Sequence, residues 1–265
     1  MFATLTTLID RLETKAAKNT NVIFWGSPVP AFGDLENSKV ATLGLNPSNR
    51  EFVDEAGKEL TGISRRFHTL SSLRLKSWSA VEARHLQFII ESCQYYFQGN
   101  PYDRWFRVLD YVIKGTKTSF YSEYSKACHL DLIPYATMKK WTELSSIEKK
   151  ALASFAGDTL GMLVRDSPIE LIILNGRTVA ETFQSLSKIM LVKKEMKEWS
   201  LPRKDAKDVI GISYYGMTNS ISNIPLGREV LILGYNHNLQ SSFGVTKQVV
   251  QSIQKWISNA SLEFN

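Results

Sequence analysis

The sequence predicts an α/β fold, a three-layer α/β/α sandwich around a mainly parallel central sheet. Three observations predict it. Short apolar runs at Val40–Leu45, Ala127–Ile133, Ile169–Leu174 and Glu229–Leu233 read as strands, and the third (IELIIL) is of the kind found in a parallel sheet covered on both faces. Longer segments between them carry apolar residues at helical spacing, and strands that alternate with helices imply a parallel sheet. Finally, every core strand runs into a polar turn: GLNPS at 44–48, HLDLIPYAT at 129–137, ILNG at 173–176 and YNHNLQSS at 235–242. Ligands of open α/β sheets bind at the carboxyl ends of the strands, so these turns are where chemistry is expected.

In chain order, Phe2, Leu5, Leu8, Ile9 and Leu12 predict an amphipathic helix over residues 2–18. Asn21 to Gly26 reads as a short extended segment broken by Ser27-Pro28-Val29-Pro30. The Val40 strand follows. Residues 46–78 form a polar stretch too long to be idle in a compact domain. Leu86, Ile89, Ile90, Cys93, Tyr96 and Phe97 mark a helix, and Trp105, Phe106, Leu109, Tyr111 and Val112 mark another. Residues 145–165 are expected to be helical, with Ile147, Phe155 and Leu163 on the buried side. After the Ile169 strand a helix should run to about Val192. The basic stretch 193–208 reads as a solvated face, because Glu195, Glu198 and Asp205 partly balance its lysines. Val209–Ile212 and Ser213–Met217 suit extra strands, and Val245, Val249, Ile253, Trp256 and Ile257 make a closing helix.

The 265 residues are 43% hydrophobic and 22% charged, and no linker-like stretch divides them, so a single domain over residues 1–265 is expected. No apolar run approaches the roughly 18 residues of a membrane span, and the first residues do not show a signal-peptide pattern. Cys93 and Cys128 are too few for a disulfide framework, and His68, His85, His129 and His237 form no HxH or HxxxH pair. A reduced, cytoplasmic, monomeric chain with neither metal nor cofactor is therefore expected. The net charge of +6 and pI of about 9.2 suit a polyanionic partner, and equally a generally basic surface.

The strand-end turns, in this order, resemble the uracil-DNA glycosylase superfamily over roughly residues 38–250. In that family the first motif is a Gly-x-[Asp/Asn/Glu]-Pro turn, and Gly44-Leu45-Asn46-Pro47 is similar to the form found in the mismatch-specific uracil/thymine branch. The last family motif, a His-Pro-Ser or Asn-Pro-Ser turn, falls near Asn236, His237 and Asn238, where the Pro-Ser pair is missing. The resemblance implies a uracil-DNA glycosylase-like domain that binds DNA, flips a nucleotide from the stack and hydrolyses its N-glycosidic bond. Asn46 would position the water, since an amide is no general base. Glu51, Asp54 and Glu55 follow in the same loop as carboxylates that either assist or are merely solvated.

The same resemblance implies a base pocket with Gly44 at its back and Phe67 as the stacking platform, Phe67 otherwise plugging the loop onto the core. His237 would be catalytic, leaning toward the base, and Asn238 would lie against it. Ser48, Arg65, Arg66, Lys139, Lys140, Ser241 and Ser242 are the expected DNA contacts. Asp131 departs from the family, whose uracil-specific members carry an Asn at the matching position. An ionised carboxylate accepts hydrogen bonds and donates none, so Asp131 opposes the uracil carbonyl and suits the cytosine amine. A modified cytosine with a bulky substituent, as in some virus genomes, is the target this implies, with loop 46–78 as the wall of a substituent pocket and defence against foreign DNA as the role. The second strand end offers no obvious lysine for a lyase step, which leaves a monofunctional, water-using glycosylase. A nucleic-acid-binding module that has lost catalysis, and an unrelated nucleotide- or sugar-binding α/β enzyme, remain open at this point.

Overall fold

A computed structural model describes residues 1–203, 207–240 and 244–263. Its centre is a six-stranded sheet of β1 (Val40–Gly44), β2 (Ala127–Asp131), β3 (Leu171–Asn175), β4 (Val192–Leu201), β5 (Val209–Ile221) and β6 (Ile224–Tyr235). The strand order is β2-β1-β3-β6-β5-β4. The first four strands of that row pair in parallel, and β5 and β4 continue it as antiparallel hairpins. Among the described residues seven α-helices accompany the strands: α1 (Phe2–Leu12), α2 (Ala83–Gln94), α3 (Asp103–Ile113), α4 (Ser146–Ala156), α5 (Thr159–Arg165), α6 (Arg177–Ser187) and α7 (Lys247–Leu262). The predicted three-layer α/β/α arrangement is therefore present.

Strand alternation divides the core in two. Ala41 and Leu43 of β1, with Ile172 and Leu174 of β3, face a cluster built from α1, α2, α4, α5 and α6. Val40, Leu171 and Ile173 face the opposite cluster, which includes Phe106, Leu109 and Val112 of α3 and Ile253 and Ile257 of α7. A strand exposes alternate residues to opposite faces, so both sides of each parallel strand must be apolar. That is why IELIIL lacks the polar alternation of a half-solvated sheet.

Several boundaries differ from expectation. The first helix ends at Leu12 rather than 18, and a single 3-10 turn, Ala17–Asn19, follows. The helix expected over 145–165 is two, interrupted at Gly157 and Asp158; Asp158 is held there by a bidentate pair with Arg11 at 2.6 and 2.8 Å. Phe155 and Leu163 are buried, whereas Ile147 projects into solvent from the first turn of α4. The helix after β3 stops at Ser187, where Lys188 turns left-handed (φ 61°). Of the stretch 193–208, expected to be a solvated face, residues 204–206 lie outside the described residues, and residues 193–201 are indeed mostly exposed yet belong to edge strand β4. Lysines on an exposed edge discourage further pairing, and their charge hides the strand from a hydrophobicity pattern. Val209–Met217, read as two segments, belongs to one 13-residue strand. The stretch 46–78 contains only short 3-10 turns, as its polarity suggests.

Helix α5 meets the β5–β6 hairpin through Gly161, where an added Cβ would lie 2.5 Å from the Ile221 carbonyl oxygen and 2.8 Å from Ile224 Cβ. Alanine in place of glycine gains about 1 kcal/mol of helix propensity, but overpacking costs about 1–3 kcal/mol, and the nearest opposing atom is a backbone carbonyl oxygen that cannot swing away. Gly161→Ala should therefore lower stability by up to about 2 kcal/mol in urea denaturation; a raised midpoint would show that this contact can relax.

Candidate active site

A cavity of about 510 Å³ opens where the parallel strands end. Gly44 of β1, His129 and Asp131 of β2, Asn175 of β3 and Asn238 beyond β6 supply its floor. The turn 46–51 forms one wall, Tyr102 at the N-cap of α3 with Trp105 and Phe106 of that helix another, and Lys139, Lys140 and Trp141 a third. The sheet alternation accounts for the floor. Residues 127, 129 and 131 share a face of β2, and residues 42 and 44 share the same face of β1, in register with 129 and 131.

Gly44 is required by that register. A Cβ there would overlap Asp131 Oδ1 and sit 2.9 Å from His129 Nε2. His129 is fixed by Thr42, whose Oγ1 lies 2.7 Å from Nδ1. Its Nε2 lies 3.7 Å from Asp131 Oδ1, beyond hydrogen-bond length. Asp131 is 4% exposed and accepts no hydrogen bond from the described residues, so its carboxylate is left for whatever enters the cavity. His129 did not stand out in the sequence. The usable signal was its place two residues before Asp131, on the same strand face.

The orientation of Asn46 follows from its partners. Thr137 Oγ1 donates its hydrogen to the Lys139 carbonyl at 2.7 Å, so toward Asn46 it can only accept. The Asn46 amide nitrogen donates to it at 3.0 Å and to the Pro47 carbonyl at 3.1 Å. Its carbonyl oxygen is the end left for the cavity, as a water-positioning role requires.

Of the three loop carboxylates, the fold selects Glu51. Asp54 is exposed and caps its own turn, accepting from the Ala56 and Lys58 amides, and Glu55 is exposed. Glu51 is 3% exposed and lines the cavity. Tyr96 donates to its Oε1 at 3.0 Å, and Arg66 Nη1 stands 3.6 Å from Oε2, which has no hydrogen-bond partner among the described residues. Burial pushes its carboxyl up to about 7 against the pull of Arg66 and the Tyr96 hydrogen bond, and the charge of Asp131 adds to the rise.

Gly44, Asn46, Ser48, Asp131, Lys139, Lys140 and Asn238 are thus brought together as expected. Lys139 pairs with Glu148 at 2.9 Å, and Ser48 caps the turn 49–51 by accepting from the Arg50 amide. Other expected contacts are not in the cavity. Phe67 lies beneath it, 1% exposed, stacked on Tyr96 at 5.4 Å and edge-on to Phe32, so no base can stack on it. His237 is also buried; its Nε2 donates to the Trp199 carbonyl at 2.6 Å, and burial lowers its basicity. It ties the end of β6 to edge strand β4 and faces no base. Arg66 is turned inward to Glu51, the Arg50 carbonyl and the Tyr102 ring, which removes it from the phosphate contacts. Arg65 is exposed on a neighbouring hollow with His68 and Arg74. Ser241 and Ser242 lie outside the described residues. Arg50, unmarked by any sequence signal, lines the cavity and has no carboxylate partner among the described residues.

Loop 46–78 contributes its first six residues to the cavity wall; Gly57 and Gly62 sit in open space away from it. Among the described residues no group of three or more His, Cys, Asp and Glu is placed to hold a metal ion, and no helix is long and apolar enough to cross a membrane. The sequence matches no protein-family model and no curated protein.

The buried acid has a cost that can be measured. Its folded pKa of about 7 stands above the ordinary 4.5, so the stabilising preference for the protonated form is complete below 4.5. It is lost as pH rises through about 7. Glu51→Gln stays neutral throughout. Its unfolding free energy should draw ahead of that of the natural protein as pH rises from 4.5 to about 7 and hold a constant lead above that, on the order of a few kcal/mol. A lead that does not change with pH would mean that Glu51 ionises freely.

Proposed function

We propose that the protein is a monofunctional DNA glycosylase that flips a non-standard base into this cavity and releases it by water attack, leaving an abasic site. The observation that carries the reading is the cavity itself. It joins, at the carboxyl ends of parallel strands, an Asn46 whose carbonyl is left for a water and an Asp131 carboxylate with no donor among the described residues. Base excision needs both, a positioned nucleophile and an edge that reads the base. Arg50, Lys139 and Lys140 give the cavity a basic wall suited to the phosphates that flank a flipped nucleotide.

Asp131 favours a cytosine-type base. Its oxygens accept from the exocyclic amine and, when the ring is protonated, from the adjacent ring N–H; such paired, charge-assisted bonds also help a poor leaving group depart. Removing ordinary cytosine would destroy the host genome, so the pocket must demand a substituent, and 510 Å³ is more than one pyrimidine ring needs. A role in defence against foreign DNA carrying substituted cytosine follows from that demand.

The test is base release from DNA carrying uracil, thymine mismatches or substituted cytosines, read with and without alkali. Substituted cytosine should be released, with strand cleavage only after alkali. Asn46→Ala should slow release by about 10²–10³-fold with DNA affinity nearly intact, the usual loss for one positioned polar group. Asp131→Asn should lower activity on cytosine-type bases and leave or raise it on uracil. Robust release of uracil alone by the natural protein would return it to uracil repair, and no release of any base would leave a binding module.

A further inference from the structure

We propose that Glu51 is the general base of the site, sharing the attacking water with Asn46, and that Tyr96 and Arg66 position it. This rests on the glycosylase reading above. Glu51 lines the cavity, and its Oε2 is a buried acceptor with no donor among the described residues, while Oε1 is satisfied by the Tyr96 hydroxyl at 3.0 Å. Arg66 Nη1, at 3.6 Å from Oε2, supplies positive charge without a hydrogen bond of normal length. Leaving a buried carboxylate oxygen unsatisfied is costly, so a donor entering the cavity completes the arrangement. Water is such a donor. Asn46 carries a second acceptor on the same turn, because Thr137 and Pro47 hold its amide nitrogen. One water hydrogen goes to each oxygen, which leaves a lone pair of the water for the sugar carbon.

The step balances as follows. Glu51 Oε2 takes one proton as the water oxygen bonds to C1′. The C1′–N bond breaks, and its electron pair leaves with the base. The proton on Glu51 returns through solvent to the departing base, so the products are the C1′ hydroxyl and the free base. Asp131 is less suited to this role because, on the strand-end floor beside His129, it is the carboxylate assigned above to the edge of the base.

The charged and titratable groups around Glu51 are Arg66 and Tyr96, which favour its ionised form, and Asp131, which opposes it. Behind them stand Tyr102 under Arg66, His129 beside Asp131, and Arg50, whose carbonyl accepts from Arg66. A base that titrates near neutrality combines a useful ionised fraction with real proton affinity.

The test is single-turnover base release against pH, on DNA carrying the base the natural protein releases, with thermal melts to confirm folding. The natural protein should show a rate that rises with pH to a plateau, its midpoint near 7. Glu51→Gln should lose about 10²–10³-fold of the plateau rate and the rising limb together, with DNA affinity kept. Tyr96→Phe should keep most of the plateau rate and move the limb to higher pH, because it loses a bond that favours the charged carboxylate. A rate that falls as pH rises, or a slow Glu51→Gln variant that retains the limb, would overturn the assignment and leave Glu51 a structural acid. Glu51→Gln activity within about threefold of the natural protein would do the same. If the natural protein releases no base at all, the glycosylase reading falls and takes this role with it.

Discussion

The site depends on a close approach at the end of β1. Gly44 is the only residue type that leaves room for Asp131 and His129, which lean over it from the neighbouring parallel strand. The register of β1 against β2 puts the three residues on one face, and that face belongs to the side of the sheet covered by α3 and α7. A side chain at 44 would fill the floor and displace the Asp131 carboxylate. The parallel sheet thus supplies an apolar base rigid enough to hold a polar edge in an exact place, which a mobile loop alone would not do.

A second support comes from the aromatic cluster below the loop. Phe32, Phe52, Phe67, Tyr96 and Phe106 pack ring against ring, and of these Tyr96 carries the hydroxyl that meets Glu51. Aromatic residues contribute large buried area and stiff geometry, and a tyrosine adds a polar tip. The cluster therefore anchors the otherwise irregular stretch after Pro47 and aims a carboxylate at the same time. Phe67 serves that anchoring, which explains why it is buried under the cavity.

The electrostatics are layered. Two carboxylates, Glu51 and Asp131, lie deep, and Arg50, Lys139 and Lys140 stand around them. Burying the two acids near one another costs stability at neutral pH, and Arg66 offsets part of it from behind. Strongly perturbed acids of this kind cluster at functional sites in proteins generally.

The sequence by itself determined the sheet and its ends. Apolar runs bounded by polar turns suffice for that, because burial on two faces leaves no freedom in residue type, and Gly44, Asn46 and Asp131 stood out at those ends. Edge strand β4 did not stand out, since an edge is solvated and its lysines look like any exposed surface. Tertiary structure alone separated Glu51 from Asp54 and Glu55, three carboxylates within five residues of one loop. The difference among them is burial against Tyr96 and Arg66, residues 45 and 15 positions away in the chain. It likewise turned His237 and Phe67 inward. Local pattern reports the face of a strand or helix, but in irregular segments the direction of a side chain is set by what packs on it from elsewhere in the chain.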